Sequence, residues 1–177
     1  MLVVNLFGSP CSGKSTIAAY VFSQLKLNGI ECELVSEFAK DLVWEENYTG
    51  LENQLYVSGQ QSYRLSRLKG KVDVVVVDSP LILAGYYNKD KEIDDELNAL
   101  LLKIFNTYDN LNFFLKRVKE YNPNGRLQNE EESNKVANDL IDILDKYDLN
   151  YQIVDGDLTG GRVILDKIIC CLNSRKF

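Results

Sequence analysis

Residues 8–15 read Gly-Ser-Pro-Cys-Ser-Gly-Lys-Ser, and this stretch, which matches G-x-x-x-x-G-K-S, decides the fold. The apolar residues 2–7 before it are typical of a buried strand, and residues 16–25 after it are typical of a helix. This order predicts a phosphate-binding loop, because backbone N–H groups of the loop and of the helix start can point at phosphate oxygens. We therefore expect Lys14 to reach the β- and γ-phosphates of a nucleotide and the Ser15 hydroxyl to bind Mg²⁺.

The predicted nucleotide-binding residues extend through this loop and include one glycine near the end of the chain. Gly156 follows the last predicted strand, and we expect its loop to border the adenine. The full set is Gly8, Ser9, Pro10, Cys11, Ser12, Gly13, Lys14, Ser15, Thr16 and Gly156.

The composition limits the classes of function. With 177 residues, 45% hydrophobic and 26% charged, the chain is long enough for one domain, which we expect to span residues 1–177. The net charge of −6 argues against a protein whose main task is to hold duplex nucleic acid. Histidine is absent, which excludes a histidine general base and a histidine zinc site. Because no apolar run approaches the roughly 20 residues of a membrane helix and no basic signal segment begins the chain, we expect a cytoplasmic protein without membrane contacts.

Short apolar runs alternate with longer helical patterns, which is typical of a parallel α/β sheet. The four valines at 74–77 predict a central strand that helices cover on both faces. We predict five strands, at residues 2–7, 31–36, 72–78, 111–116 and 151–155. Helices are expected at about 16–28, 37–46, 52–68, 81–86, 94–108 and 130–147, with a turn at 47–50 and a last helix that follows a glycine-rich loop at 156–161 and reaches about 172.

Two carboxylates follow neighbouring strands of the predicted sheet. Glu37 comes after the second strand and Asp78 ends the third, so both should emerge at the edge where the phosphate-binding loop lies. Asp78 after a run of valines is typical of a Walker B strand, and we expect it to bind Mg²⁺ together with Ser15. Glu37 is expected to orient or deprotonate an acceptor. The alternatives are a charge at a helix start for Glu37 and a strand-end cap for Asp78.

The residues after Asp78 distinguish classes of protein that share this loop. A GTPase would need D-x-x-G there, but Ser79 and Pro80 follow instead. A motor-type or AAA+ ATPase would need an acid directly after Asp78 to activate water, and the chain is also short for the lid domain of an AAA+ protein. A kinase-like enzyme, which moves a phosphoryl group to a bound acceptor, remains.

Two further segments carry candidate residues for such a reaction. Residues 117–129 contain Arg117 and Arg126, and we expect them to form a basic lid over the transferred phosphoryl group; a solvated basic hairpin is the alternative. The helix at 52–68 is the candidate acceptor wall, because four of its side chains share one face: Tyr56, Gln60, Tyr63 and Arg64. The alternative for the two tyrosines is simple packing of this helix.

The segments that carry these motifs resemble the P-loop nucleoside and nucleotide kinases over nearly the whole chain. They are residues 8–16, 35–40, the helix of Gln60, residues 74–80 and Gly125-Arg126. The Glu-aromatic-Ala order at Glu37 is most similar to the ribosylnicotinamide kinase domain, and the small kinase-like ATPases that bacteriophages encode are similar as well. The resemblance implies a three-layer α/β sandwich whose five-stranded parallel sheet has the order 2-3-1-4-5, with a lid. The segments after Glu37 and Asp78 lack the proline and the basic residue of thymidylate-type kinases, which argues against thymidylate as acceptor.

The residues and the resemblance together predict a kinase that uses ATP and Mg²⁺ to phosphorylate a nucleoside- or nucleotide-like small molecule. The catalytic residues would be Lys14, Glu37, Asp78, Arg117 and Arg126; the acceptor-binding residues Glu37, Tyr56, Gln60, Tyr63 and Arg64; and the metal ligands Ser15 and Asp78. Two other functions stay open: a regulatory nucleotide-binding module with weak ATPase activity, and a kinase of a modified base in DNA. We expect no duplex nucleic acid among the partners, and a homodimer is left open.

Overall fold

Strands and helices alternate along the chain in a computed structural model that describes residues 1–121 and 129–175. The strands are β1 (Leu2–Phe7), β2 (Cys32–Val35), β3 (Val74–Val77), β4 (Asp109–Lys116) and β5 (Tyr151–Asp155). The helices are α1 (Lys14–Leu27), α2 (Phe38–Trp44), α3 (Tyr48–Glu52), α4 (Gln54–Ser66), α5 (Leu83–Tyr87), α6 (Asp94–Phe105), α7 (Glu130–Lys146) and α8 (Leu158–Asn173).

The five strands form one parallel sheet in the order β2-β3-β1-β4-β5, which confirms the predicted fold class and strand order. β1 lies at the centre, with Leu2 opposite Val74 on one side and Phe7 opposite Phe114 on the other. Because all strands run in the same direction, the segments that follow β1, β2 and β3 leave the sheet at one edge. This edge therefore carries the phosphate-binding loop, Glu37 and Asp78.

Helices cover both faces of the sheet. The alternating residues Leu2, Val4 and Leu6 of β1 pack with residues of α1 and α8 in one core cluster. Phe7 belongs to a second cluster with residues of α5, α6 and α7. The valines of β3 are at most 2% exposed, as expected of a strand covered on both faces. In the part of the chain that the structure describes, no helix is long and apolar enough to cross a membrane.

The predicted turn at residues 47–50 is wrong, because a short helix, α3, occupies this segment. The Asn47 side chain accepts a hydrogen bond from the N–H of Gly50 (2.9 Å) and so caps α3. The Asn53 side chain caps α4 in the same way, because it accepts a hydrogen bond from the N–H of Tyr56 (3.0 Å). This cap places the start of α4 at Gln54. Two asparagines that look like turn residues are therefore helix caps.

The predicted loop at residues 156–161 is shorter in the structure, because α8 already begins at Leu158 and includes Gly160 and Gly161 in its first turn. The Asp157 side chain accepts hydrogen bonds from the N–H groups of Thr159 (2.8 Å) and Gly160 (3.1 Å), and this cap starts the helix early. A Cβ on Gly161 would lie 2.8 Å from the Tyr20 ring, so the glycine permits close packing of α8 on α1.

Candidate functional site

The phosphate-binding loop is a tight turn between β1 and α1 that requires its two glycines. Gly8 has φ 145° and Gly13 has φ 93°, values that side chains disfavour. A Cβ on Gly8 would lie 2.5 Å from the Ser12 Oγ, and a Cβ on Gly13 would lie 2.5 Å from the Gly156 carbonyl oxygen. The loop is therefore closely packed on both sides, which fixes the direction of its N–H groups.

Lys14 begins α1, and its ammonium group lies against the loop. The Nζ donates hydrogen bonds to the carbonyl oxygens of Gly8 (2.7 Å) and Ser9 (3.0 Å). Ser15 and Thr16 follow at the helix start with exposed side chains. No side chain of residues 1–121 or 129–175 caps α1, so its first N–H groups and its partial positive charge suit an anion.

Gly156, predicted to border the adenine, packs directly on the loop. Its N–H donates to the Lys116 carbonyl oxygen (2.8 Å), and a Cβ on it would overlap the Ser12 carbonyl oxygen. The segment after β5 is thus close to the segment after β1, which accords with its predicted place in the site. Its contact with adenine stays a prediction.

Glu37, Asp78 and Lys14 lie close enough for the charges of Asp78 and Lys14 to act on Glu37. Glu37 is the half-buried residue before α2, and Asp78 directly follows β3 with 6% of its surface exposed. Burial raises the pKa of Glu37, and the charge of Asp78 adds to this rise, whereas Lys14 opposes it. On α2 itself, Lys40 lowers the pKa of Glu37 and Asp41 raises it. The sheet edge therefore brings the predicted carboxylates and the loop lysine into one site.

One oxygen of Asp78 is buried and unsatisfied. Among the described residues, the Asp78 Oδ1 has no hydrogen-bond partner. Buried carboxylate oxygens are nearly always paired, so this atom has capacity for a further ligand.

Two tyrosines at the end of α5 were missed by the sequence prediction. Burial raises the pKa of Tyr87, and the negative charge of Glu37 raises it further, so this phenol lies near the carboxylate. The Tyr86 hydroxyl donates to Asp139 of α7 (2.9 Å), and burial with this hydrogen bond raises its pKa to about 12. No sequence pattern indicates that the segment after Pro80 returns Tyr87 toward Glu37.

The predicted acceptor wall on α4 is only partly next to the carboxylates. Tyr56 packs edge-on against Phe38, the residue after Glu37, with ring centroids 5.4 Å apart. The Arg64 guanidinium lies 5.0 Å from the centre of the same ring and donates to Asp41 (2.6 Å). Gln60 is half-buried, whereas Tyr63 is 63% exposed, so packing of the helix does not explain Tyr63.

The buried face of α4 holds a polar residue that the sequence prediction missed. Gln61 is 6% exposed, and its Oε1 accepts a hydrogen bond from the Phe38 N–H (3.1 Å). Its Nε2 donates to the Ser79 carbonyl oxygen (3.1 Å). The spacing from Val57 to Gln61 to Leu65, four residues each, is the helical signal that could have placed it on the inner face.

Arg117, one of the predicted lid arginines, is anchored to the start of α7. Its guanidinium donates to the Ser133 Oγ (3.3 Å), the Asn134 Oδ1 (2.6 Å) and Glu130 (3.1 Å). The Ser133 hydroxyl in turn donates to the Pro10 carbonyl oxygen of the phosphate-binding loop (2.8 Å). Ser133 was missed because 123 residues separate it from Pro10. The other predicted lid arginine, Arg126, lies outside the described residues.

Two solved structures of one nucleoside kinase have the same fold. The structure of deoxyadenosine kinase from M. mycoides with bound dATP has a TM-score of 0.58 and 20% sequence identity, and covers 97% of this chain and 99% of that one. The structure of the same enzyme with dCMP and dCDP has a TM-score of 0.57 and 19% identity over the same shares. At these identities the similarity shows the fold alone, which is that of a P-loop kinase.

Curated relatives match a shorter part of the chain. Protein RecA of Bartonella bacilliformis is 32% identical over 111 residues, which are 58% of this chain and 32% of RecA. RecA of Azoarcus sp. is 30% identical over 110 residues, with the same shares. The chain thus spans about a third of the length of the RecA proteins that it matches.

A family model described as an AAA domain matches residues 3–159. Ser79 follows Asp78 where an acid is expected of an AAA+ ATPase, so the lack of that acid does not exclude an AAA domain. The matched segment includes the phosphate-binding loop and both carboxylates, Glu37 and Asp78. The chain belongs to the AAA domain family that this model describes.

Proposed function

We propose that the chain is an ATP-dependent kinase that phosphorylates a hydroxyl group of a nucleoside- or nucleotide-like small molecule. The observation that carries the proposal is that Glu37 and Asp78 follow β2 and β3 at the sheet edge where the phosphate-binding loop lies, where the charges of Asp78 and Lys14 act on Glu37. A hydrolase of ATP needs only a water molecule where a kinase binds the acceptor hydroxyl. A carboxylate that follows the neighbouring strand is suited to hold an acceptor hydroxyl instead.

The loop and α1 would bind the triphosphate. The N–H groups of residues 8–16 and the positive end of α1 suit the β- and γ-phosphates. The Lys14 ammonium, which donates to the Gly8 and Ser9 carbonyl oxygens of the loop, would bind a phosphate oxygen when the nucleotide is present. Gly156 would close the loop from the side of β5.

The residues present fit a magnesium ion that arrives with the nucleotide. The unpaired Asp78 Oδ1 and the exposed Ser15 hydroxyl are oxygen ligands of the kind that Mg²⁺ takes. No cluster of three or more metal-ligating side chains occurs in the described ranges, so phosphate oxygens and water would complete the shell. When bound, the ion would neutralise part of the charge that develops on the phosphates.

Glu37 would orient the acceptor hydroxyl and take its proton as the oxygen bonds to the γ-phosphorus and the bond to ADP breaks. Its raised pKa, caused mainly by burial, makes it a stronger base than an exposed glutamate. Tyr56, Gln60, Tyr63 and Arg64 are proposed as acceptor contacts, and Tyr87 joins them because it lies near Glu37. Arg117 and Arg126 are proposed to balance charge on the transferred group.

A second candidate is a regulatory nucleotide-binding module with weak ATPase activity. The match to an AAA domain family supports it, because the phosphate-binding loop needs no acceptor in order to bind ATP. The two candidates differ in one respect: only the kinase has an ATP turnover that an acceptor stimulates.

The test measures ADP formation by the purified chain with ATP and Mg²⁺ against nucleosides, nucleoside monophosphates, pyridine ribosides and a single-stranded oligonucleotide. The kinase predicts that at least one small molecule raises turnover and gains one phosphoryl group, detected by mass spectrometry. Lys14→Ala serves as the inactive control. Slow turnover that no acceptor changes would favour the regulatory module, and phosphorylation of the oligonucleotide alone would favour a kinase of bases in DNA.

A further inference from the structure

The side-chain amide of Gln61 joins the two residues that follow the site carboxylates. The Oε1 accepts from the N–H of Phe38, next to Glu37, and the Nε2 donates to the carbonyl oxygen of Ser79, next to Asp78. Both distances are 3.1 Å, and the side chain is 6% exposed. A buried amide whose donor and acceptor are both satisfied resists displacement, because any movement leaves a polar group unpaired.

The Gln61 side chain lies just beyond the ends of β2 and β3, where the backbone hydrogen bonds between these two strands stop. The last backbone hydrogen bond between their ends runs from the Asp78 N–H to the Val35 carbonyl oxygen (3.1 Å). Beyond it the chain turns away into α2 on one side and toward Pro80 on the other. Phe38 is the first residue of α2, so its N–H has no partner within the helix. Gln61 supplies that partner and spans the gap to Ser79 with one side chain.

We infer that Gln61 is a positioning residue that fixes the separation of Glu37 from Asp78 by clamping Phe38 to Ser79. Its neighbour Gln60, which the sequence favoured as an acceptor contact, makes no part of this clamp. The clamp itself follows from the geometry alone; its effect on phosphoryl transfer rests on the proposed function.

Exchange of the Phe38 amide reports on the clamp without any need for activity. This N–H donates to the Gln61 Oε1 (3.1 Å), so loss of that hydrogen bond opens the amide to solvent.

The test compares Gln61→Met with Gln60→Met. Methionine keeps the length of the side chain and removes both hydrogen-bonding groups, and a small cavity lined by Leu65, Leu81 and Asn110 adjoins position 61. In Gln61→Met we expect the Phe38 amide to exchange with solvent at least about ten-fold faster. Gln60→Met should leave this exchange unchanged. Equal exchange of the Phe38 amide in the two variants would overturn the clamp.

The kinetic consequence is measured separately. With an acceptor that supports turnover, Gln61→Met should lower kcat about 10²-fold while the Kd for ATP stays within a few-fold, because the two hydrogen bonds of the clamp go to Phe38 and Ser79 and not to the phosphate-binding loop. A normal kcat together with faster exchange of the Phe38 amide would overturn the positioning role. If no acceptor supports turnover of the unmodified chain, the proposed function fails, whereas amide exchange still decides the clamp.

A second variant covers the case in which Gln61→Met does not fold. Gln61→Glu keeps the acceptor for the Phe38 N–H, replaces the donor to Ser79 by a carboxyl oxygen and adds an ionisable group at a buried position. We expect the Phe38 amide to stay protected from exchange with solvent and the kcat of this variant to fall. A Phe38 amide that exchanges freely in this variant would contradict the assigned hydrogen bond.

Discussion

Ser133→Ala should weaken the link between α7 and the phosphate-binding loop. The Ser133 hydroxyl is fully buried, donates to the Pro10 carbonyl oxygen (2.8 Å) and accepts from Arg117 (3.3 Å). Arg117 keeps Glu130 and Asn134 as partners, so most of the cost arises at Pro10. A carbonyl oxygen left unpaired in a half-buried place costs about 1–2 kcal/mol, and the better helix propensity of alanine returns up to about 0.5 kcal/mol.

The expected net loss in the free energy of unfolding is therefore about 1 kcal/mol, measured by urea denaturation. If the whole free-energy loss destabilises the loop conformation that binds ATP, the Kd for ATP rises by at most about five-fold. Calorimetry measures this Kd. Ser23→Ala is the matched control, because Ser23 is an exposed serine on α1 that donates to Tyr20 (2.8 Å). We expect it to change stability by less than about 0.5 kcal/mol. Equal stability and equal ATP affinity in the two variants would show that the hydrogen bond from Ser133 to Pro10 does not stabilise the loop.

Three further predictions test the loop and Glu37. Lys14→Ala should abolish measurable ATP binding in calorimetry, whereas Lys26→Ala, at the far end of α1, should not change it. Gly156→Ala should cost at least about 1–3 kcal/mol in urea denaturation, because its Cβ would overlap backbone at Ser12, whereas Gly59→Ala, whose Cβ meets nothing within 4 Å, should be neutral or stabilising. The raised pKa of Glu37 means that the native state holds this proton more tightly than the unfolded state, so its contribution to stability is present below pH 4.5 and is lost as the pH rises through the raised pKa. The stability of the unmodified chain should fall over this window by more than that of Glu37→Gln, and parallel curves would contradict it.

The part of the site that parallel strands position could be predicted from the sequence. Glu37 and Asp78 follow β2 and β3, and the phosphate-binding loop follows the adjacent β1, so one sheet edge brings them together. This conclusion needs only the strand positions and the shared direction of the strands. The strand order came from the resemblance to P-loop kinases, and the sheet has that order.

The side chains that hold the site in place could not be predicted in this way. Gln60 and Gln61 are adjacent and chemically identical, and only the phase of α4 against the sheet decides which of them reaches Phe38 and Ser79. Ser133 meets Pro10 across 123 residues, which no local pattern encodes. Contacts of this kind depend on how helices pack on the sheet. The periodicity of a single helix indicates which face is buried, but it does not indicate which residues that face contacts.

The central claim is that Glu37 directs a phosphoryl group from ATP to a bound acceptor. The most direct measurement is single-turnover transfer of the γ-phosphoryl group to an acceptor by the unmodified chain and by Glu37→Gln, with the Kd for ATP determined for both. We expect transfer by the unmodified chain, and in Glu37→Gln a rate roughly 10²–10⁴-fold lower with an ATP Kd within a few-fold. Equal rates in the two proteins, or release of phosphate to water at the same rate with and without acceptor, would contradict the claim.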